Sequence, residues 1–520
     1  MAWTGGTRRA AIALAAAWLT WCGPPGARAG VASRQAHSAP AQPARLAPAD
    51  VAPQPVRDAC GSCHVAPPPD ALPRGAWADS VLRMQRIRDG SEATPSPTAT
   101  LPADFAGALA WYELRAPSEL APPARWPAPA GGLTARRGLS PPQAPPTPVV
   151  SGVTLADVDG DARLELLVCD MRHGMVLLGR PYDPAAGLTL IASVPHPAAA
   201  TMVDLDGDGL RDVLIADLGE FLPRDHDKGA VVWLRGRPGG AFAPFGIGGL
   251  PRIARVEAAD LDGDGDQDLL VAAFGYRKAG SVLVLENRTG DWARPRFSPL
   301  VLDPRPGAVR ALPLDVNGDG RLDVVSAVAQ EHEEVVAYVR GEGLAFTPVV
   351  LWKAPHANWG LSGMSLADLD ADGDTDVLLA NGDTFDDSLL KPYHGLAWLE
   401  RTTAPPGPAS FAYHRLAALP GPHAVEAADL DGDGDLDVVS SALVAGGGGD
   451  LDARLPAVVW LEQTGRRRFE RRLLKLGAPR HAALAAGDYD RDGDIDIVTG
   501  NMATTGPMEA WVELWNNRRR

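Results

Sequence analysis

Beyond residue 150 the chain alternates short apolar runs with acidic loops. Each acidic loop is followed by a run such as "LLVAAF", "VVSAVA" or "VLLANG". A second run often carries an aromatic residue, as in "GAVVWLRG", "GSVLVLEN", "HGLAWLER" and "AVVWLEQT". A third often begins with Phe ("RFSPLVL", "AFTPVVL", "RFERRLL"). A fourth leads into the next acidic loop ("VEAAD", "VRALPLD", "MSLAD"). Apolar runs of this length between Gly, Pro and Asp predict strands, four to a unit.

The unit repeats. "DVDGDARLE" starts at Asp157, "DLDGDGLRD" at Asp204, "DLDGDGDQD" at Asp260 and "DVNGDGRLD" at Asp315. "DLDADGDTD" starts at Asp368, "DLDGDGDLD" at Asp429 and "DYDRDGDID" at Asp488. Seven copies, 47 to 61 residues apart, predict a mainly β chain with a seven-bladed β-propeller over 149–520. Ring closure leaves only short protected strand edges. The last copy stops after its third strand, "MEAWVELWNN", so blade seven needs an outer strand from elsewhere. "LTARRGL" (133–139) has the spacing of the outer strand "RFERRLL" and is predicted to supply it.

The N-terminal part follows another pattern. Residues 30–57 are rich in Ala, Pro and Gln and read as a spacer. Gly75 to Arg88 and Ala103 to Leu114 carry apolar residues at helical spacing, so 58–120 is predicted to be a small α-helical domain. A Pro-rich linker, 121–148, follows. Ahead of the spacer, Arg8 and Arg9 precede the apolar run Ala10 to Trp21, which is too short to span a bilayer. "ARA" at Ala27 to Ala29 is a small-x-small cleavage site. This predicts a signal peptide over 1–29 and a secreted or periplasmic protein, a retained anchor being the alternative. Bulky Trp21 before Cys22 argues against lipoprotein processing, and no other segment reads as a membrane span.

A net charge of -16 argues against nucleic acid as a partner. Of the four cysteines, Cys22 falls in the signal. The remaining Cys60, Cys63 and Cys169 do not make a disulfide framework in a chain of 520 residues.

The acidic loops carry the first candidate chemistry. In the third copy Asp260, Asp262 and Asp264 hold positions 1, 3 and 5, Gly265 position 6 and Asp268 position 9. Alternate carboxylates in a tight loop converge on one centre, and all-oxygen ligation suits Ca2+. An EF-hand would place Glu at position 12. Here that position is Val271, within a strand, so Asp268 is expected to take the role of that Glu. The full candidate set is Asp157, Asp159, Asp161 and Glu165; Asp204, Asp206, Asp208 and Asp212; Asp260, Asp262, Asp264 and Asp268; Asp315, Asn317, Asp319 and Asp323; Asp368, Asp370, Asp372 and Asp376; Asp429, Asp431, Asp433 and Asp437; Asp488, Asp490, Asp492 and Asp496. Seven divalent ions would bring the charge to about -2. The first copy, with Ala162 in place of Gly and Glu165 at position 9, is expected to be the weakest or empty. Solvated acidic turns without metal are the alternative.

These loops resemble the FG-GAP or VCBS-type repeats of integrin-like propellers. The resemblance covers about 150–520. It implies that each loop joins strands one and two of a blade, and that the calcium is structural.

"CGSCH" (Cys60 to His64) is the c-type haem attachment pattern. Cys60 and Cys63 would add to the haem vinyls, and His64 would be the proximal ligand of one covalent heme c. Residues 58–120 resemble a small cytochrome c domain. A zinc site would need further Cys or His, and none occurs between His64 and Cys169. A disulfide or free dithiol is the alternative. Met84 is the only Met between 65 and 150, a stretch without His, which makes it the candidate sixth ligand, against a plain core Met. Arg74, Trp77 and Trp111 are candidates for the pocket lining.

The loops opposite the acidic face hold His173, His196, His226, His332, His356, His394, His423 and His481. Arg255, Arg310, Trp359, Arg480 and "NGDTFDDSLLKPYHG" lie there too. Such a face has the chemistry to bind an anion, dock the helical domain or hold a metal, or it simply collects polar loop residues. Three functional readings follow. The first is a c-type electron-transfer protein whose calcium-stabilised propeller binds a redox partner or ligand of unknown identity on that face. The second is a non-redox adhesion propeller with a degenerate CxxCH. The third is a redox enzyme with a site among the histidines. No Ser/His/Asp arrangement, phosphate loop or zincin motif is present, so hydrolase chemistry has no support and no catalytic residue is assigned.

Overall fold

The computed structural model describes residues 52–61, 65–89, 101–128 and 133–518, apart from loop positions 184, 386, 404, 405, 447–449 and 505. The predicted signal, most of the spacer, Cys63 and His64 lie outside the described residues.

Seven four-stranded antiparallel sheets form a β-propeller. Among the described residues there are 28 strands, β1 to β28 in chain order. The first strand of each blade is innermost and packs against the first strands of its neighbours. These are β2 (Val150–Ala156), β6 (Pro197–Val203), β10 (Ile253–Ala259), β14 (Ala308–Leu314), β18 (Leu361–Ala367), β22 (Pro422–Ala428) and β26 (His481–Gly487). The second strands, such as β11 (Asp268–Ala273) and β23 (Asp437–Ala442), are buried at every position. Neighbouring blades cover both of their faces, which is why the sequence reads there as unbroken apolar runs. Outer strands such as β17 (Phe346–Lys353) are half-buried or exposed throughout.

An innermost strand has one unpaired edge, and its backbone groups need partners. Side chains of the preceding blade supply several. Thr154 Oγ1 donates to Ala200 O at 2.8 Å, Thr201 Oγ1 to Val256 O at 2.8 Å and Ser362 Oγ to Pro422 O at 2.7 Å. All seven inner strands also shift register after their first residue, for example between Val150 and Gly152 and between Ile253 and Arg255. One extra residue there is a β-bulge, which bends the strand and raises its twist.

β1 (Thr134–Leu139) pairs antiparallel with β28 (Val512–Asn516), Leu139 opposite Val512, and β27 (Asp496–Asn501) joins β28 to β26 in a sheet ordered β1-β28-β27-β26. Strand material from before blade one therefore closes blade seven. No helix among the described residues is long and apolar enough to cross a membrane.

The helical region contains α1 (Gln54–Cys60), α2 (Trp77–Arg88) and α3 (Ala103–Arg115), the last two close to the predicted helices. Its core holds Val56, Leu72, Trp77, Phe105 and Tyr112. Trp77 lies parallel to Tyr112 at 3.6 Å, and its indole N–H donates to Pro69 O and Leu72 O. Arg74 donates to Ala116 O at 3.1 Å, just beyond α3. Two of the three candidate lining residues, Arg74 and Trp77, thus serve the helical core and its closure. The region sits against the propeller: the Tyr393 hydroxyl donates to Ala71 O at 3.3 Å, and Leu389 and Tyr393 pack on the helical cluster. The linker then runs along the blades towards β1. The Trp126 indole donates to Ala418 O at 3.2 Å and lies under the Arg471 guanidinium. Leu133 is buried with Leu430, Val458 and Trp515.

Candidate functional site

Each acidic loop joins an inner strand to the second strand of its blade. The loop folds back on its first carboxylate. Asp260 Oδ1 accepts the Gly263 N–H at 2.7 Å and Oδ2 the Gly265 N–H at 3.1 Å. Gly263 and Gly265 have φ of +82° and +95°, a conformation that favours glycine. Ala162 in the first loop, Ala371 in the fifth and Arg491 in the seventh adopt positive φ without being glycine, at a cost of roughly 1–2 kcal/mol each.

Oxygens of three acidic groups lie within 4.8 Å of one another in Asp157, Asp159 and Glu165, in Asp204, Asp206 and Asp212, and in Asp368, Asp370 and Asp376. The same holds for positions 1, 3 and 5 in Asp260, Asp262 and Asp264 and in Asp429, Asp431 and Asp433. That separation is about twice a Ca–O distance of ~2.3–2.6 Å. Several buried carboxylate oxygens, among them Asp370 Oδ1, Asp374 Oδ1 and Asp429 Oδ1, accept no hydrogen bond among the described residues. Hard oxygen donors at this spacing are of the kind a divalent cation such as calcium takes.

Position 9 does more than the sequence reading assigned to it. Asp268 is buried; its Oδ2 accepts the Leu261 N–H at 3.1 Å and its Oδ1 the Asn287 N–H at 2.8 Å. Asp323, Asp376 and Asp437 repeat this arrangement. The carboxylate ties the loop to the end of the third strand, whether or not its remaining lone pairs face a cation. Burial pushes Asp268, Asp376 and Asp437 up to about 6 and Asp496 up to about 7.

Position 7 was missed by the sequence reading. Burial, and then the charges of Asp264, Asp262 and Asp260, push Asp266 up to about 6. Asp374 is raised by burial and by Asp372. The signal was present as the "DGD" at positions 5 to 7. The first and fourth loops carry Arg163 and Arg321 there instead. Arg321 grips Asp319, holding it down at about 2. In the second loop Arg235 pairs with Asp206 and Asp208. Asn317 donates to Asp319 Oδ2 at 3.1 Å, and Asp490 accepts from Asn516 at 2.8 Å. Neighbouring blades are stitched through the same loops: Arg340 donates to Leu261 O, Gln463 to Leu369 O at 3.0 Å and Asn517 to Leu430 O at 2.6 Å.

In the helical region Cys60 ends α1 half-buried, and burial followed by Asp104 raises its thiol pKa. Met84 on α2 and Trp111 on α3 border the same apolar cluster as Cys60. Cys60 and Met84 thus place a thiol and a thioether at the edge of one apolar cluster. Cys63 and His64, which complete the motif, are outside the described residues.

Apart from His356 and His394, the histidines opposite the acidic loops make separate local contacts. His173 Nδ1 contacts Asp170 at 2.9 Å, His196 Nδ1 the Met171 carbonyl at 2.8 Å and His423 Nδ1 the Ala482 carbonyl at 2.8 Å. His226 Nδ1 accepts the Lys228 N–H, and His332 faces Glu331. Arg480 pairs with Asp452 at 3.1 Å. Loops of five blades instead share an apolar cluster of Met171, Phe221, Phe385, Leu443 and Met502. His356 and His394 do come together, both buried, around Tyr393 and Trp359. Arg255 and Arg310 lie on inner strands, and Cys169 is buried in β3 (Glu165–Asp170), which pushes its thiol up to about 12.

Residues 204–271 and 315–379 match the family model of the FG-GAP-like repeat. No curated protein matches the chain. Among solved structures, virginiamycin B lyase from Staphylococcus aureus is 12% identical with a TM-score of 0.44, over 74% of this chain and 98% of that one. BBS1N, solved in complex with ARL6DN, is 12% identical with a TM-score of 0.43, over 76% of this chain and 98% of that one. The chain carries FG-GAP-like repeats within a seven-bladed β-propeller.

Proposed function

We propose that this is an exported electron-transfer protein, in which the helical region carries haem c and a calcium-stabilised propeller serves as a binding scaffold. One observation carries the reading. Cys60, the first cysteine of the CxxCH pattern, borders an apolar cluster that also holds Met84 and is seated on the propeller. Haem bound there supplies a one-electron iron couple. Cys60 would tether it, with Cys63, and His64 and Met84 would ligate the iron. The apolar cluster would keep water away, and the docked propeller would present the module to a partner. The acidic loops would hold the ring by cation binding and take no part in the electron step.

The test is a haem stain and visible spectrum of the full chain expressed in a periplasm with cytochrome c maturation. A covalent haem band with a low-spin spectrum is expected. Matured protein without a Soret band would sink the electron-transfer reading and leave the adhesion propeller.

A further inference from the structure

Resting on the calcium reading, we propose that the acidic loop of blade five is a divalent-cation site shared with blade six, at which Arg466 stands in for the cation and is displaced by it. The loop, residues 368–376, joins β18 to β19 (Asp376–Asn381). Oxygens of Asp368, Asp370 and Asp376 lie within 4.8 Å of one another. A cavity of about 100 Å³ adjoins them. Its lining crosses the blade boundary. Asp368, Asp370 and Ala371 come from blade five, and Asp435, Gln463 and Arg466 from blade six.

Two of these lining groups lack a full set of partners. The Asp370 side chain is 0% exposed, and its Oδ1 accepts no hydrogen bond among the described residues. Gln463, at the end of β24 (Pro456–Gln463), is also buried. Its Nε2 donates to Leu369 O and Leu436 O, both at 3.0 Å, and the two carbonyls fix which end of the amide is the nitrogen. Its Oε1 accepts no hydrogen bond among the described residues. Buried oxygens without donors are costly. A hard cation takes carboxylate and amide oxygens together, so one ion in this cavity answers both.

Arg466 and Arg467 lie in the turn between β24 and β25 (Phe469–Leu476). Arg466 Nη2 donates to Asp370 Oδ2 at 3.2 Å and lies 3.8 Å from Asp372. Arg467 is 3.9 Å from Asp370 and also pairs with Glu400. The two guanidinium groups together bring the charge of one divalent ion to the carboxylates of the loop. The partners differ in freedom. Asp370 is buried, whereas Arg466 and Arg467 are 62% and 50% exposed. An exposed guanidinium exchanges its ion pair for water at little cost, and the buried carboxylate has no such exchange. The arginine is therefore the partner that leaves when a cation arrives.

The experiment is a calorimetric calcium titration of the chelator-stripped full chain, of its Arg466→Gln/Arg467→Gln variant, and of that variant with Asp370→Asn added. Removing two positive charges from beside a divalent ion should tighten one site by about tenfold. The other affinities should stay as in the parent, and Asp370→Asn should abolish the gain. In the same double-variant background Gln463→Met should weaken that site severalfold, while Gln463→Glu, which keeps an oxygen in place, should not. An unchanged titration in the double variant, or a gain that survives Asp370→Asn, overturns the competition. A site indifferent to Gln463→Met overturns the sharing between blades. A parent chain and variants that all take up no calcium overturn the calcium reading itself, so the two failures are told apart.

Discussion

Arg310 of blade four reaches Glu426 of blade six, with Nη1 3.7 Å from Oε1. The two blades are not neighbours, so this ion pair bridges past the inner strand of blade five. Arg310 also donates to Met364 O on the intervening blade at 2.9 Å. Burial raises the Glu426 pKa, against the pull of Arg310 and Arg255. Removing one partner of a part-buried pair leaves the other charge poorly solvated. Arg310→Met or Glu426→Gln should each cost about 1–3 kcal/mol in urea unfolding. The double variant should lose less than the sum of the two. Strict additivity would mean that the two side chains do not interact.

Calcium should stabilise the ring through several loops. A site occupied at a hundred times its Kd adds about 2.7 kcal/mol. Thermal melts in calcium and in chelator should differ by several degrees, and calorimetry should count more than one ion. Asp260→Asn removes the carboxylate on which its loop folds and should lower the count by one. Identical melts with and without chelator would falsify the cation reading.

Blade closure can be tested at Leu139, which is buried with Val150, Trp511 and Val512. Leu139→Ala should cost about 2–4 kcal/mol. Deleting the residues before Ser140 should do more, because β28 becomes an exposed edge that promotes association. Size-exclusion chromatography of the truncated chain should show oligomers; a stable monomer with the parent melting temperature would rule out the closing role.

Much of this architecture was legible because the repeat writes it seven times. Fully buried second strands appear as unbroken apolar runs, and "LTARRGL" gave away the closing strand by matching an outer strand at the one place where a blade lacked one. The role of position 9 was not legible, because the second N–H partner of Asp268 is Asn287, at the far end of another strand. Position 7 was visible as an extra Asp, but its involvement depends on burial that only the folded loop creates. The seat of the helical region on Tyr393 pairs residues 322 positions apart, and nothing local in either segment announces it.

The pH dependence of stability should show buried histidines. His481 is fully buried; burial, followed by the Lys475 charge, pushes its pKa down to about 4. The Lys475 ammonium lies 3.1 Å from His481 Nε2 and pairs with Glu513 at 2.7 Å, so His481 is neutral and accepts that hydrogen bond. Burial likewise pushes His356 down to about 4. A lowered folded pKa means that the unfolded chain binds the proton first. The stabilisation is therefore complete above about pH 6.5 and is lost as pH falls towards 4. Each such histidine steepens the loss by about 1.4 kcal/mol per pH unit within that window. Glu257 and Glu426, raised by burial, act with the opposite sign, so a variant isolates the effect better than the net curve. Urea unfolding of His481→Gln at pH 7, 6 and 5 should show a shallower loss than the parent, by about one proton's worth. Parallel curves would mean that His481 titrates normally in the folded chain.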